Sequence, residues 1–222
     1  DVNVRDDNGI TPALGATVEG HLGVVRLLAE QGADLSTPDN DGVTPVWVAA
    51  HNGNMDMLVL LAELGSDINN QDNDGITPLY IAAYNGHTEV VRKLTELGAN
   101  IETPTNDGAT PAGVAAYNGH LEMVRLLAEL GANVNTQDND GATPTFIAAR
   151  EGHVEVVRLL ANLGADVETP TYTGATPLRI AVIQGYMEVV NVILNKLLEK
   201  YHYGNREPLL QQMINAISLA TE

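Results

Sequence analysis

A Gly-x-Thr-Pro motif occurs six times in this chain, and each copy begins 33 residues after the previous one. The first copy begins at Gly9 and the last ends at Pro177. A strict period of this length is typical of one small structural unit stacked on itself, because a single unit cannot bury its own apolar face. We therefore predict one elongated repeat array across the 222 residues, in which each unit contacts mainly its neighbours.

Each repeat carries the start and stop signals of two short helices. In the copy over 105–137, Thr110 is a good N-cap and Pro111 suits the first helical position. An Asn-Gly pair ends this first helix, and a second glycine follows the next apolar run. The pattern predicts a short first helix, a second helix over 121–130 and an extended segment over 132–135.

These residues resemble the ankyrin repeat. The likeness rests on Thr-Pro-x-x-x-Ala-Ala, then Gly-His-x-Glu-Val-Val-Arg-Leu-Leu, then Leu-Gly-Ala-Asp/Asn-Val-Asn, and it covers the chain from Asp1 to about Lys200. The resemblance implies an all-α fold, an ankyrin-type α-solenoid of stacked helix pairs with projecting hairpin loops. It also implies a concave groove lined by hairpin tips and first helices. The family generally binds other proteins and catalyses nothing.

The period divides the chain at regular boundaries. Residues 1–3 align with the ends of later repeats, which predicts that the natural protein extends further towards its N-terminus. The predicted divisions are the tail of a truncated preceding repeat at 1–5, repeats at 6–38, 39–71, 72–104, 105–137, 138–170 and 171–203, and a C-terminal capping helix within 204–222.

The C-terminal end departs from the repeat pattern. Leu197-Leu198-Glu199 replaces Leu-Gly-Ala, so we expect the last second helix to continue to about Tyr201. Beyond Pro208 an apolar stripe predicts a final helix that caps the array, with a docking helix for another chain as the alternative. The stripe consists of Leu210, Met213, Ile214 and Ile217.

A second, longer period is also present. The hairpin ends alternate between proline and glutamine, which gives a period of 66 residues. These ends are Thr37-Pro38, Asn70-Gln71, Thr103-Pro104, Thr136-Gln137 and Thr169-Pro170. The alternation suggests duplication of repeat pairs and predicts no function by itself.

Composition restricts the class of partner. The formal net charge of −18 disfavours nucleic acid and anionic membranes and accommodates a partner protein with a basic or neutral surface. The chain has no Cys, which removes disulfides, thiolate metal sites and cysteine nucleophiles. It has no long apolar run and no Asn-x-Ser/Thr sequence, so we expect a cytoplasmic or nuclear setting, and a monomer.

Two rows of positions vary while the surrounding framework does not. The first lies two residues after the proline of each motif, where the ankyrin family usually has His, and reads Leu14, Trp47, Tyr80, Gly113, Phe146, Arg179. The second lies four residues further along and reads Val18, His51, Tyr84, Tyr117, Arg150, Ile183. Both rows share one helical face, and aromatic and Arg side chains dominate binding hot spots.

We therefore predict a partner-binding surface along these rows. It comprises Trp47, His51, Asn52, Tyr80, Tyr84, Asn85, Gly113, Tyr117, Asn118, Phe146, Arg150 and Glu151. Core filling is the alternative for Trp47, Tyr80 and Phe146. The missing side chain of Gly113 is interpreted as a notch that admits a side chain of the partner.

Other candidate sites are interpreted as structural. His21, His87, His120 and His153 recur one per repeat, and packed helices 8–10 Å apart cannot bring such a ladder onto one metal ion. The acidic hairpin tips resemble the start of a calcium loop, but the position of the bidentate Glu is Ile81 or Ile147. We interpret the tips as turn residues whose charge would steer a basic partner. No catalytic, cofactor-binding or metal-binding residue is predicted.

The sequence thus predicts a non-catalytic protein–protein interaction module that binds through its groove. One alternative is the targeting segment of a larger enzyme or effector whose active part lies towards the N-terminus. Others are a structural spacer without a specific partner and an engineered binding scaffold.

Overall fold

Within residues 1–201 the chain forms twelve α-helices and no strand in a computed structural model. The structure describes these residues, and 202–222 lie outside the described part, including the predicted capping helix. The first helices of the repeats are α1 (Pro12–Val18), α3 (Pro45–His51), α5 (Pro78–Tyr84), α7 (Pro111–Tyr117), α9 (Pro144–Glu151) and α11 (Pro177–Gln184). The second helices are α2 (Leu22–Glu30), α4 (Met55–Glu63), α6 (Thr88–Glu96), α8 (Leu121–Glu129), α10 (Val154–Asn162) and α12 (Met187–Tyr201). The predicted all-α ankyrin-type fold is confirmed.

Every first helix begins at the proline of its motif, and the preceding threonine caps it. Thr110 has an extended backbone, and its Oγ1 accepts a hydrogen bond from the Gly113 N–H at 3.2 Å. The other motif threonines cap their helices in the same way. Such a cap contributes about 1 kcal/mol, because it satisfies a backbone donor that the helix leaves unpaired. The predicted caps and proline positions are confirmed.

The segment after the second helix differs from its prediction. Residues 132–135 were expected to be extended, but Val134 and Asn135 form a turn. The Asn135 N–H donates to the Asn133 side-chain oxygen at 3.0 Å, so a local side-chain acceptor closes this turn. Short-range turns of this kind leave no hydrophobic periodicity, which is why the apolar pattern did not reveal it.

The chain divides into two compact units, Asp1–Asn106 and Asp107–Glu222. In the N-terminal unit α1, α3 and α5 pack in sequence, and each also packs against its own second helix. In the C-terminal unit α7, α9 and α11 do the same, and α10 packs between α8 and α12. The core of each unit is aliphatic and fully buried, with Leu58, Leu61 and Leu94 in the first and Leu127, Leu160 and Ile193 in the second.

Hydrogen bonds with the 33-residue period join consecutive hairpin turns of the N-terminal unit. The Asn73 Nδ2 donates to the Asn40 carbonyl at 3.0 Å, and the Asn106 Nδ2 donates to the Asn73 carbonyl at 2.9 Å. The backbone N–H of Asn73 donates to the Asp41 carbonyl at 3.0 Å. Each asparagine therefore satisfies two backbone carbonyls of the turn before it, which fixes one turn on the next. We call this series the asparagine ladder.

The 66-residue alternation also has a physical basis. The Gln71 Nε2 donates to the Gly75 carbonyl at 2.8 Å and to the Pro104 carbonyl of the following repeat at 3.2 Å. The Gln137 Nε2 makes the equivalent bonds, to Gly141 at 2.7 Å and to Pro170 at 3.2 Å. Proline has no side-chain donor, so only the glutamine-ended repeats can make this connection. The alternation therefore couples repeats in pairs.

The long helix α12 is fastened near its end, as the expected continuation to Tyr201 requires. The Tyr201 hydroxyl donates to Glu168 Oε1 at 2.9 Å, and the Lys200 ammonium forms an ion pair with the same carboxylate. The hydrogen bonds to Glu168 raise the pKa of Tyr201 and the pKa of Lys200. Both protonated groups therefore favour the folded state.

The glutamine connection predicts a loss of stability in Gln71→Ala. We expect the free energy of unfolding to fall by about 1 kcal/mol, because two backbone carbonyls lose a hydrogen-bond donor. Urea denaturation followed by circular dichroism measures this change. Gln31→Ala is the matched control, since Gln31 is exposed and its side chain makes no hydrogen bond within the described part of the chain. Equal losses in the two variants would contradict the role of Gln71.

The Tyr201–Glu168 contact predicts a stability loss at alkaline pH. A raised folded-state pKa gives a contribution that is complete below about pH 10, the usual value for tyrosine, and is lost as the pH rises through the folded value. Thermal melts between about pH 9 and pH 11 should therefore show a smaller decline for Tyr201→Phe than for the unchanged chain. Tyr172→Phe removes an exposed hydroxyl and should leave the decline unchanged. An unaltered decline in Tyr201→Phe would refute the prediction.

Candidate partner-binding surface

The first variable row lies mostly inside the fold. Tyr80 and Phe146 are only 9% and 6% exposed, and Gly113 is buried as well. Phe146 packs with Ala142 and Ile147 in the core of the C-terminal unit. These three positions were predicted as partner contacts, and their burial removes them from the accessible surface. Burial also leaves no open notch at Gly113.

The second variable row lies at the surface. Tyr84 and Tyr117 are 44% and 45% exposed, His51 is exposed, and the Arg150 side chain is 41% exposed. Each residue ends or nearly ends its first helix, one turn beyond the buried row. The neighbouring predicted residues are also accessible, with Asn52 exposed and Asn85, Asn118 and Glu151 half-buried. Trp47 is the one first-row member of the predicted surface that is half-buried rather than buried.

In the N-terminal unit the accessible residues form an aromatic surface. The Trp47 and His51 rings are stacked, with centroids 5.2 Å apart and planes 12° apart. The Trp47 Nε1 is buried and has no hydrogen-bond partner. The His51 backbone carbonyl accepts from the Asn85 Nδ2 at 3.2 Å and from the His87 Nε2 at 3.0 Å. The next repeat therefore holds the end of α3 in place, and with it the stacked pair.

In the C-terminal unit the accessible residues form a mixed aromatic and charged surface. The Tyr117 backbone carbonyl accepts from the His153 Nε2 at 2.9 Å, which fixes the end of α7. The Asn118 Nδ2 donates to the Val114 carbonyl at 3.2 Å. The Arg150 Nε lies 2.8 Å from Glu151 Oε1, so these two exposed charges partly compensate each other.

The repeated histidines have a structural role. His87 and His153 each point a ring nitrogen at a backbone carbonyl of the preceding repeat, which requires a protonated Nε2 and a donated hydrogen bond. This geometry agrees with their interpretation as framework residues. Among residues 1–201 no group of three His, Asp or Glu side chains could hold a metal ion.

The acidic turn residues fall into two classes that the sequence analysis did not separate. Asp39 is structural, because its Oδ1 accepts from the backbone N–H groups of Asp41 and Val43, both at 2.9 Å. Asp72 makes the same bonds in the next turn. Asp41 and Asp74 instead hold exposed carboxylates that accept no hydrogen bond from any described residue. The signal that separates them is position, since only the first aspartate of each turn can cap the backbone two and four residues on.

Comparison with known families agrees with this architecture. The family model described as Ankyrin repeats (3 copies) matches residues 1–72, 57–138 and 131–203, which together cover nearly the whole chain. The chain belongs to the ankyrin repeat family. Ankyrin repeats generally serve as protein–protein interaction modules and are typically non-catalytic. No curated protein matches the chain. Over residues 1–201, every helix is too short or too polar to cross a membrane.

The burial of Gly113 predicts a gain of stability in Gly113→Ala. A new Cβ would lie 3.5 Å from Thr110 Oγ1 and 3.7 Å from Ile147 Cδ1, which are ordinary contacts. We expect a gain of about 0.5–1 kcal/mol, because alanine costs less conformational entropy in a helix. The midpoint of urea denaturation measures it.

Gly108→Ala is the matched control in the same repeat. Gly108 has a φ of +79°, and a Cβ there would lie 2.8 Å from the Asn139 backbone nitrogen, so this change should destabilise the protein. A loss of stability in Gly113→Ala would show that the pocket around Gly113 is tighter than these distances indicate.

Proposed function

We propose that this ankyrin repeat chain is a non-catalytic interaction module that binds a partner protein through the exposed ends of its first helices. One observation carries the proposal. The helical position that varies most in chemistry, occupied by His51, Tyr84, Tyr117 and Arg150, is accessible, whereas the alanines just before it are buried. Variation at accessible positions on a constant framework is the expected property of a binding surface.

The residue types at this surface support binding. Tyrosine, tryptophan and arginine supply large contact areas at a small number of positions and are enriched among binding hot spots. The proposed contacts in the N-terminal unit are Trp47, His51, Asn52, Tyr84 and Asn85. Those in the C-terminal unit are Tyr117, Asn118, Arg150 and Glu151.

The way the surface is held also supports binding. Hydrogen bonds from Asn85 and His87 fix the carbonyl end of α3, and His153 fixes the end of α7. A surface that is ordered before it meets its partner loses less conformational entropy on association. The proposal further places the protein in the cytoplasm or nucleus, as a monomer.

The test compares capture of proteins from the native lysate by two matched variants. His51→Ala/Tyr84→Ala truncates two proposed contacts, whereas Glu89→Ala/Arg92→Ala truncates two exposed residues of the second helix α6. We expect the first variant to lose a captured protein that the second retains, with a loss of about tenfold or more in affinity. Circular dichroism establishes beforehand that both variants are folded.

The remaining outcomes distinguish the alternatives. Equal capture by both variants would place the binding site elsewhere on the chain. No capture by any variant would favour a structural spacer, or a targeting segment that needs further parts of a larger protein.

A further inference from the structure

The N-terminal unit has an uneven distribution of charge. Residues 1–106 contain 16 Asp or Glu and only four Lys or Arg. Three of the cations, Arg26, Arg92 and Lys93, lie on the second helices α2 and α6. The fourth, Arg5, donates to the backbone carbonyls of Gly9 and Pro38, each at 3.0 Å. The first helices and turns of this unit therefore carry no basic residue that is available to balance their carboxylates.

Two of these carboxylates are available to a ligand. Asp41 and Asp74 are exposed and have no side-chain partner among the described residues, whereas Asp39 and Asp72 are occupied in closing the turns. Asp41 and Asp74 occupy the same place in consecutive repeats, so they are separated by about the packing distance of two helices, 8–10 Å. The asparagine ladder fixes the turns that carry them.

We infer that the occupant of this surface of the N-terminal unit is a segment of a partner protein that carries lysine or arginine side chains. This inference rests on the proposed function and specifies the chemistry of its partner. Two cations set against Asp41 and Asp74 would balance carboxylates that the chain leaves uncompensated, and they would increase the rate of encounter. An acidic segment would be repelled by the same groups.

The aromatic side chains of this unit suit the same occupant. A guanidinium or ammonium group binds to the face of an aromatic ring through the negative charge above the ring plane. Tyr84 is accessible, and the stacked Trp47 and His51 rings lie at the other accessible helix end of the unit. In an extended segment each residue advances about 3.3 Å, so basic side chains three residues apart would span the separation of the two carboxylates.

The experiment selects peptides from a random 16-residue phage-displayed library on the complete 222-residue chain. The selected peptides are then synthesised, and their affinities are measured against three variants. Asp41→Asn/Asp74→Asn removes the proposed charges, and Tyr84→Ala removes a contact of the proposed function. Glu30→Gln/Glu63→Gln removes two exposed charges from the second helices and serves as the matched control.

We expect the selected peptides to carry at least two basic residues, with a spacing of three favoured. Their affinity should fall by about fivefold or more in Asp41→Asn/Asp74→Asn and by less than about twofold in the control. It should also fall when the NaCl concentration rises from about 50 mM to about 500 mM, because salt screens exposed charges.

The contrary outcomes separate this inference from the proposed function. Neutral or acidic peptides that lose affinity only in Tyr84→Ala would overturn the basic partner and leave the proposed surface in place. Basic peptides that bind all three variants equally would overturn both. A selection that enriches no peptide would also count against both.

Discussion

The hydrogen bonds between consecutive hairpin turns are the constraint on which the rest of the structure depends. Asn73 reaches two carbonyls of the preceding turn, and this is possible only because the turns approach closely. At Gly42, with a φ of +85°, an added Cβ would lie 2.8 Å from the Asn73 backbone nitrogen. The recurrence of glycine and asparagine every 33 residues therefore has one cause, the contact of one turn with the next.

A fixed turn determines where each first helix begins, and thereby which of its positions reach the surface. Because Thr44 caps α3 at the same place in its repeat as Thr77 caps α5, the third residue of each helix enters the fold to a similar depth. The seventh residue, such as Tyr84, comes out at the surface. Residues at that position can change from histidine to tyrosine to arginine without disturbing the core. The framework and the recognition residues are thus separated by geometry.

The same regularity explains how charge is divided between structure and recognition. Asp39 stabilises its turn and is unavailable, while Asp41 two residues later is exposed. A high net negative charge costs stability through self-repulsion. Carboxylates that close turns offset part of this cost, whereas a carboxylate such as Asp74 does not, which is consistent with a role in binding. The alternation of Gln71 with Pro104 likewise divides the repeat contacts into two kinds.

Sequence by itself determined the helix starts, the caps and the family, because each depends on neighbours within a few residues, as for Thr110 and Pro111. It also identified both variable rows as one helical face. Only the tertiary structure decided that Tyr80 and Phe146 belong to the core while Tyr84 does not, since burial depends on packing against other helices. The same holds for the separation of Asp39 from Asp41 and for the reach of Gln71 to Pro104. These contacts join residues that local sequence patterns do not relate.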